Sequence, residues 1–569
     1  MKKRVVSKVV FPSLFFIFIS FPSYARTLNI LVQPFQNTGD AQYSWISAGM
    51  TDTVISDLNK IRDINVISDK DRKKVLEELK FTRSGLVDEE GMVKVGKLAG
   101  ANIIFTGSYQ VSGNRLRVNA KLINVESGKV ETSTKLDGTV DRIFDLQDKV
   151  VFSLVGDTEK IRIADIGPVK LVAEDKKKIE EKYKPKTEAY EWYSKGLEVE
   201  NKNPKLALDY FNSAIKIDPD YTQPLMWAGV VAGDSLNLFT EAQNYLQKAD
   251  NIFKSRGETA SSDYSNLIGV IGALYSSKGQ LDLALKYYLG SQAIKDRLGL
   301  QNTDSYSDLV MNIGLVYWSK GQLDTALKYY LDSQAIKDRL GLQNTDSYSD
   351  LVGNIGFVYL DKGDLDLALK YAFDSQSIRD RLGLQNTVAY SILVNNIGRI
   401  YHNKGQLDWA LKYYLDSQAI KDRLGLQNTA DYSSVMTNIA LVYSSKGQLD
   451  LALKYSLDAQ AIMERLGLQD TVSYSNIMTN IGVVYWSKGQ PSSALKYYLD
   501  SQAIKDRLGL QNTVAYGNNL FNLALAYERQ GQLNMAGRCF RMAHETYIRA
   551  DYWGPNKDNA LNNAQRLGY

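Results

Sequence analysis

The amino-acid sequence predicts two architectures in one multidomain chain, a mixed α/β domain near the N-terminus and an all-α superhelical solenoid after it. The chain has 569 residues, more than one hydrophobic core ordinarily serves. Strand-like and helix-like stretches alternate between residues 26 and 157, whereas residues 257–550 repeat with a 42-residue period. A two-helix unit of that size cannot bury its apolar stripe alone, so neighbouring units are expected to stack.

Residues 1–25 have the features of an export signal. The stretch Met1–Arg4 is positively charged, the short apolar run Phe11–Phe21 follows it, and Ala25 ends a small-residue cleavage site. The apolar run is short for a membrane-spanning helix, and no later stretch approaches about 18 apolar residues. We therefore predict a cleaved signal peptide and a location in the periplasm or at the cell surface, with peripheral membrane association left open.

The α/β domain is predicted to occupy residues 26–157. Its segments alternate between buried runs of strand length and stretches with helical apolar spacing, and the SGN and ESG turns separate its later strands. The predicted order is βαβααβββα, with elements at residues 28–35, 45–58, 64–69, 71–81, 89–101, 101–113, 115–128, 129–139 and 141–155.

These segments resemble the periplasmic domain of the curli-secretion-channel (CsgG-like) family and related TolB-like domains. The resemblance rests on VQPFQN, WISAGMTDTVISDL, NVISDKDRKKVLEEL, KVGKLAGANIIFTGSYQ and RVNAKLINVESGKV. It implies contact with a cell-envelope complex. The channel family also has a lipidated N-terminal cysteine and long membrane-inserting hairpins. Here that cysteine is absent and the turns at Gly113 and Gly128 are tight, so we do not expect a pore.

Two segments separate this domain from the regular repeats. Residues 158–186 are rich in charge, with EDKKKIEEKYKPKT at their centre, and are predicted as a linker or a short solvated helix. Residues 187–256 are predicted as two divergent helix-pair units, because KLALDYFNSAIKIDP and, less closely, FTEAQNYLQKAD have the spacing of a second helix.

The 42-residue repeat is the strongest signal in the sequence. In one unit, Val310, Ile313 and Tyr317 share a face of a first helix. Ala326 and other apolar residues form the stripe of a second helix, and Gly321 can turn the chain between the two. This glycine recurs without a slip, at Gly279, Gly321, Gly363, Gly405, Gly447, Gly489 and Gly531.

The repeated positions resemble the tetratricopeptide repeat. The match lies in the spacing of Gly314 and Tyr317, the turn glycine, the alanine and the aromatic Tyr330. The 42-residue length resembles the kinesin-light-chain subtype. The resemblance implies seven such units over residues 257–550, capped by the polar residues 551–569, and a concave face that binds extended peptides.

An asparagine column on the first helices is the candidate binding site. An asparagine side chain both donates and accepts hydrogen bonds, so it can pair with a peptide backbone whatever the ligand's side chains. The alternative is that each asparagine bonds a neighbouring helix or water and only sets the spacing of the units. Two tryptophans nearby are either ligand anchors or packing residues. The candidate peptide-binding residues are Asn312, Asn354, Asn396, Asn438, Asn480, Asn522, Trp318 and Trp486.

A repeated decapeptide, IKDRLGLQNT, is predicted to be the joint between units and not a site. Four identical copies begin at Ile294, Ile336, Ile420 and Ile504. Its isoleucine extends the second helix, its KDR residues are expected at the exposed end of that helix, and Gly299 and its equivalents should stop the helix. The final threonine is expected to cap the next helix.

The composition argues against catalysis, metal binding and nucleic-acid binding. One cysteine and two histidines offer little for metal or nucleophilic chemistry, and no catalytic motif is present. A net charge of +4 without a concentrated basic face is atypical of a nucleic-acid binder. We therefore expect no enzyme activity and no cofactor. The leading hypothesis is an exported scaffold for protein or peptide partners. The alternative is a subunit of an envelope secretion or transport assembly with a ring-forming N-terminal domain. The oligomeric state is left open.

Overall fold

The computed structural model describes residues 27–61, 63–67, 89–156 and 171–569. Within them the N-terminal region is a mixed α/β domain in the predicted order of elements. The predicted signal peptide and the predicted helix over residues 71–81 lie outside the described residues. The strands are β1 (Leu28–Val32), β2 (Gln36–Asn37), β3 (Ile64–Val66), β4 (Ile103–Ser112), β5 (Arg115–Asn124) and β6 (Val130–Thr139). The helices are α1 (Ile46–Leu58), α2 (Glu89–Leu98) and α3 (Ile143–Gly156).

The sheet combines a parallel half with an antiparallel meander. Its strand order is β3-β1-β4-β5-β6, and β2 pairs separately with β4. Strand β1 is parallel to both β3 and β4, whereas β4, β5 and β6 are antiparallel hairpin neighbours. Gly113 and Gly128 have positive φ at the two hairpin turns, a conformation that glycine adopts without steric penalty.

Both faces of this sheet pack against the helical part of the chain. One face is covered by α1, α3 and the first divergent helix pair, where Tyr190 and Tyr193 are buried in the same apolar cluster as Ile30. The opposite face packs on α2 and on unit 2 of the solenoid, where Ile104 and Leu342 share a second cluster. The α/β domain is therefore held between two parts of the solenoid.

The described part of the charged segment, residues 171–186, is a strap fixed to the α/β domain. It contains helix α4 (Ala173–Glu180), whose Ile179 is fully buried. The amine of Lys182 bridges the carboxylates of Asp57 on α1 and Asp148 on α3. The segment includes a helix, as one of the two predictions had it. That helix is not merely solvated, because its Ile179 is buried and Lys182, just after it, is paired with carboxylates of the domain.

The rest of the chain is a stack of helix pairs. Two divergent pairs come first, Thr187–Val199 with Pro204–Ile217 and Thr222–Val230 with Phe239–Ser255. Seven regular pairs follow, and Pro555–Arg566 packs on the last. The regular pairs are Ser262–Ser277 with Leu281–Arg297 (unit 1), Asp304–Ser319 with Leu323–Arg339 (unit 2), Asp346–Asp361 with Leu365–Leu382 (unit 3), Val388–Asn403 with Leu407–Arg423 (unit 4), Ala430–Ser445 with Leu449–Arg465 (unit 5), Val472–Ser487 with Pro491–Arg507 (unit 6) and Val514–Arg529 with Leu533–Arg549 (unit 7). None of the helices described is both long and apolar enough to cross a membrane.

A small residue on the first helix lets the second helix approach closely within each unit. A Cβ atom added to Gly314 would lie 2.9 Å from the ring of Tyr330, which is fully buried. Unit 5 has alanine at this position and the smaller Ser456 opposite it. The two positions therefore fill one fixed space between the helices.

The decapeptide is the joint between units, with one correction to its predicted exposure. Gly299 leaves the second helix with φ of +72°, and the side chain of Thr303 accepts a hydrogen bond from the backbone N–H of Tyr306, as predicted. Asp296 accepts from the hydroxyl of Tyr306. The lysine of KDR, however, is not at an exposed end. Lys295 is only 5% exposed, because it points inward toward the first helix.

The joints of units 1 and 2 also hold the α/β domain. The side chain of Asn29 donates to the carbonyl of Leu340, and Asn302 donates to Thr27. Asn65 accepts from the backbone N–H of Asp304 at the start of a helix, where that group has no intrahelical partner. Two copies of the repeated joint thus serve as a docking surface.

Candidate functional site

The first helices of the repeat units form the inner side of the solenoid. In units 4 to 7 the first helices of neighbouring units approach one another more closely than the second helices do. One hydrogen bond crosses directly between them, from Asn438 Nδ2 in unit 5 to Asn395 Oδ1 in unit 4, at 3.0 Å. This inner side, which we call the groove, carries the predicted asparagine column.

The six asparagines of the column are half-buried at equivalent positions in units 2 to 7. Asn438 makes the hydrogen bond to Asn395 just described. For the other five, the described part of the chain provides no side-chain hydrogen bond; they are Asn312, Asn354, Asn396, Asn480 and Asn522. Five of the amides therefore keep both donor and acceptor capacity within the described chain, and water or a ligand can bond them.

The two tryptophans contribute to packing between units. The indole of Trp318 stacks on Phe357 of the next unit, with ring centroids 6.3 Å apart, and its N–H donates to Asp361 at 2.7 Å. Trp486 is half-buried and packs against the apolar cluster of the last units. The tryptophan rings, and the N–H of Trp318, thus already make contacts within the solenoid, unlike most of the asparagine amides.

Apolar side chains lie one helical turn from the asparagine column. Leu315 and Leu441 are 38% and 37% exposed, and Val483 at the same register is half-buried. In unit 4 the position is occupied by the exposed Arg399, whose guanidinium lies 5.8 Å from the ring centroid of Phe357. The groove therefore offers a row of amides beside a row of mostly apolar contacts.

The second helices carry a buried cation at equivalent positions in most units, and this side chain points toward the first helix of its own unit. This column of cations was missed because KDR was interpreted as an exposed helix end. Its members are Lys295, Lys337, Arg379, Lys421 and Lys505, with Met463 at the equivalent position in unit 5. Comparing columns at the 42-residue spacing could have exposed it, since carboxylates appear opposite this column in only some units.

The electrostatic state of these cations differs between units. Burial lowers the pKa of Lys337, but Asp308 and Asp304 outweigh this effect and raise it above its ordinary value. Burial alone lowers the pKa of Lys505 to about 8. For Lys421, burial lowers the pKa and Asp431 offsets this only in part. The column is thus neutralised in unit 2 and left without close counter-ions in units 4 and 6.

A second concavity lies where the α/β domain meets the solenoid. This cavity of about 290 Å³ is lined by α1, by the strap and by the helices around Tyr221 and Phe253. Its polar wall includes Asp57, fully buried, whose pKa is raised because burial outweighs the attraction of Lys182 and Lys60. These charges already neutralise one another, so the cavity does not define a ligand.

The comparisons with known proteins concern mainly the repeats. Residues 307–338 and 431–507 each match a family model of the tetratricopeptide repeat. A Rhizobium meliloti (strain 1021) protein named as an adenylate cyclase is 27% identical over 171 residues, which is 30% of this chain and 26% of that protein. The chain thus spans about a quarter of the length of this curated relative.

Solved structures with similar repeats cover part of the chain. BtubC (BKLC) of P. vanneervenii gives a TM-score of 0.36 at 17% identity, covering 41% of this chain and 94% of its own. A Podosopora anserina kinesin light chain with nearly identical repeats gives 0.32 at 16% identity, covering 36% and 97%. The apo quorum sensor NprR of B. thuringiensis gives 0.46 at 15% identity, covering 63% and 97%. The repeated units of this chain are tetratricopeptide repeats.

Proposed function

We propose that the protein is a non-enzymatic scaffold whose groove binds an extended peptide or a segment of a partner protein. The observation that carries the proposal is the asparagine column, in which five half-buried amides have no hydrogen-bond partner within the described chain. Such amides can bond water while the groove is empty and exchange that water for the N–H and carbonyl groups of a ligand backbone. Protein interaction is also the usual role of stacked helical repeats, whose concave surfaces are extended.

The groove would hold the ligand by its backbone and select it by neighbouring side chains. Each asparagine can donate to a ligand carbonyl and accept from a ligand N–H, which is independent of ligand sequence. Leu315 and Leu441 would contact apolar ligand side chains on one side of the column. The residues between the asparagines differ from unit to unit, so selectivity would reside there.

The test compares asparagines in the groove with asparagines in the joints. The groove variant carries Asn354→Ala, Asn396→Ala and Asn480→Ala. The matched control replaces Asn386, Asn428 and Asn512, which are exposed in joints away from the α/β domain, by alanine. We expect the groove variant to lose binding at least tenfold to peptides selected by the wild type from a random library, and the control to retain it. Equal binding by the two variants would refute the proposed role of the column.

We further propose that the protein is exported and that its α/β domain contacts a cell-envelope complex. The support is the sequence of residues 1–25 and the resemblance of residues 26–157 to curli-channel and TolB-like domains. Cell fractionation of the full chain and of a chain beginning at Arg26 tests export. Finding both chains in the same compartment would contradict it, and crosslinking in intact cells would identify the envelope partner.

The second candidate is a subunit of an envelope secretion or transport assembly, in which the α/β domain forms rings. The outer strand β6 ends the sheet, and its residues are exposed or half-buried, so it leaves an edge for another copy. Mass measurement in solution over a range of concentrations separates the candidates. A chain that remains monomeric at high concentration would exclude the ring, whereas peptide binding in the groove would be unaffected.

A further inference from the structure

The buried cations beneath the groove are paired with carboxylates in two units. In unit 2 the amine of Lys337, which is fully buried, contacts Asp304 and Asp308 on the first helix, the latter at 3.0 Å. In unit 3 the guanidinium of Arg379 contacts Asp346 at 2.8 Å and also Asp350. In these two units, therefore, carboxylates of the first helix neutralise the buried cation of the second helix.

Unit 4 keeps the cation but lacks both carboxylates. Lys421 is only 1% exposed, and its amine has no hydrogen-bond partner among the described residues. The positions that hold aspartate in units 2 and 3 are Val388 and Ile392, which are 44% and 43% exposed at the groove. The nearest carboxylate belongs to Asp431, at 4.0 Å, and that side chain is itself 67% exposed.

Unit 6 shows a weaker form of the same arrangement. The amine of Lys505, also 1% exposed, contacts the hydroxyls of Ser475, Thr479 and Ser501 at 3.3, 3.3 and 2.8 Å. These hydroxyls solvate the amine without neutralising it. Unit 5, between them, has Met463 in the column and needs no counter-ion.

We propose that Lys421 forms a carboxylate subsite of the groove, so that the bound peptide carries an aspartate or a glutamate over unit 4. This inference rests on the proposed peptide binding and specifies the ligand's chemistry. The ligand carboxylate would take the place that Asp308 occupies in unit 2, with Ile392 moving aside at the surface. A buried ammonium without a partner is unfavourable, and an ionised hydrogen bond is among the stronger ones, so the gain on binding is large.

The charge pattern along the groove also predicts which units the acidic part of the ligand contacts. Asp308 and Asp350 border the groove in units 2 and 3, whereas Arg399 and Lys421 lie in unit 4 and Lys505 in unit 6. An acidic group placed over units 2 or 3 would find the buried cation already paired with a carboxylate. The acidic part of the peptide therefore lies toward units 4 to 6.

The test uses substitutions that the chain itself contains at equivalent positions. Lys421→Met copies unit 5, and Ile392→Asp installs the internal carboxylate of units 2 and 3. Lys412→Met removes an exposed lysine from the same helix as a control for net charge. The probes are two pools of short, fluorescein-labelled, C-terminally amidated peptides of random Ala, Leu, Ser and Gly sequence, one carrying two glutamates at varied positions and the other two glutamines.

We expect the wild type and the Lys412→Met variant to prefer the glutamate pool at least tenfold by fluorescence anisotropy. Both Lys421→Met and Ile392→Asp should bind the two pools nearly equally, and their binding to the glutamine pool should match the wild type. An unchanged preference in these two variants, or no preference in the wild type, would overturn the carboxylate subsite while leaving peptide binding intact. Failure of the wild type to bind either pool would overturn peptide binding itself.

Discussion

Replacing the buried cation should have opposite consequences in units 2 and 4. Lys337→Met leaves the carboxylate of Asp304, whose side chain is 3% exposed, without its counter-ion. Breaking a buried ion pair from one side typically costs about 3–5 kcal/mol. Asp304 also lies in the first turn of its helix, where the helix dipole offsets about 0.5–1 kcal/mol of that loss. We expect unit 2 to lose about 2–4 kcal/mol.

Lys421→Met should be tolerated, because the carboxylate nearest to this amine, that of Asp431 at 4.0 Å, is 67% exposed and stays hydrated. The substitution removes an amine that burial has already stripped of water, and Met463 occupies the same position in unit 5. We expect a change between a loss of about 0.5 kcal/mol and a small gain, as for other buried charges replaced by apolar residues. The two variants should therefore differ by about 1.5–4 kcal/mol.

Native-state hydrogen exchange is the suitable assay, since a repeat array need not unfold in a single step. A difference of about 2 kcal/mol means that Lys337→Met should accelerate amide exchange in the second helix of unit 2 roughly 30-fold more than Lys421→Met does in that of unit 4, each relative to the wild type. Adding Asp304→Asn to Lys337→Met should recover much of the loss. Equal effects in the two units, or no recovery in the double variant, would refute the assignment of paired and unpaired cations.

Three further predictions test other parts of the structure. Because the pKa of Lys505 is about 8 when folded and 10.5 when unfolded, the unfolding free energy should rise by at most about 3 kcal/mol from pH 8 to 10.5 and lose that gain as the pH falls to 8. Tyrosines with raised pKa, such as Tyr516 at about 12, act oppositely only above pH 10, so melting of wild type and Lys505→Met should diverge between pH 8 and 10. Gly482→Ala should lower stability by about 1–2 kcal/mol, because its Cβ would lie 2.5 Å from the ring of Tyr498, and Tyr498→Ser should rescue it as in unit 5. Gly356→Ala, whose Cβ would lie 3.3 Å from its nearest neighbours, should cost less than Gly482→Ala, and equal losses in the two single variants on denaturation would contradict the packing argument. Leu342→Ala should speed proteolysis of the α/β domain, whereas Leu426→Ala in the undocked joint of unit 4 should not.

The periodic parts of the fold could be predicted from the sequence because they depend on local chemistry. Gly299 and Thr303 act through their own backbone and the adjacent turn, so their roles as stop and cap were predictable. The inward turn of Lys295 was not, because its exposure depends on how tightly the first helix packs over it. The clamp of Lys182 on Asp57 joins residues 125 positions apart, and no pattern of spacing encodes it.

The candidate site divides in the same way. The asparagine column was visible as a repeated letter, but its lack of partners depends on the distances between neighbouring first helices. The role of Trp318 was not predictable from its own unit, because it stacks on Phe357 and donates a hydrogen bond to Asp361, both in the next unit. A repeated residue is a good candidate for ligand binding only when the neighbouring unit does not already bond or pack against its side chain.

The division of labour between joints and columns explains how near-identical repeats can serve different roles. The joints keep their sequence, so each sets the same geometry, and those of units 1 and 2 hold the α/β domain through Asn302 and Leu340. That docking contacts Asp304, which already neutralises its lysine, and therefore covers no charge that a ligand could use. Units 4 and 6 have the same joint sequence as units 1 and 2, but the positions that hold aspartate in units 2 and 3 have other residues there, such as Ile392. The loss of a counter-ion, and not the gain of a new group, is what would turn a structural repeat into a binding one.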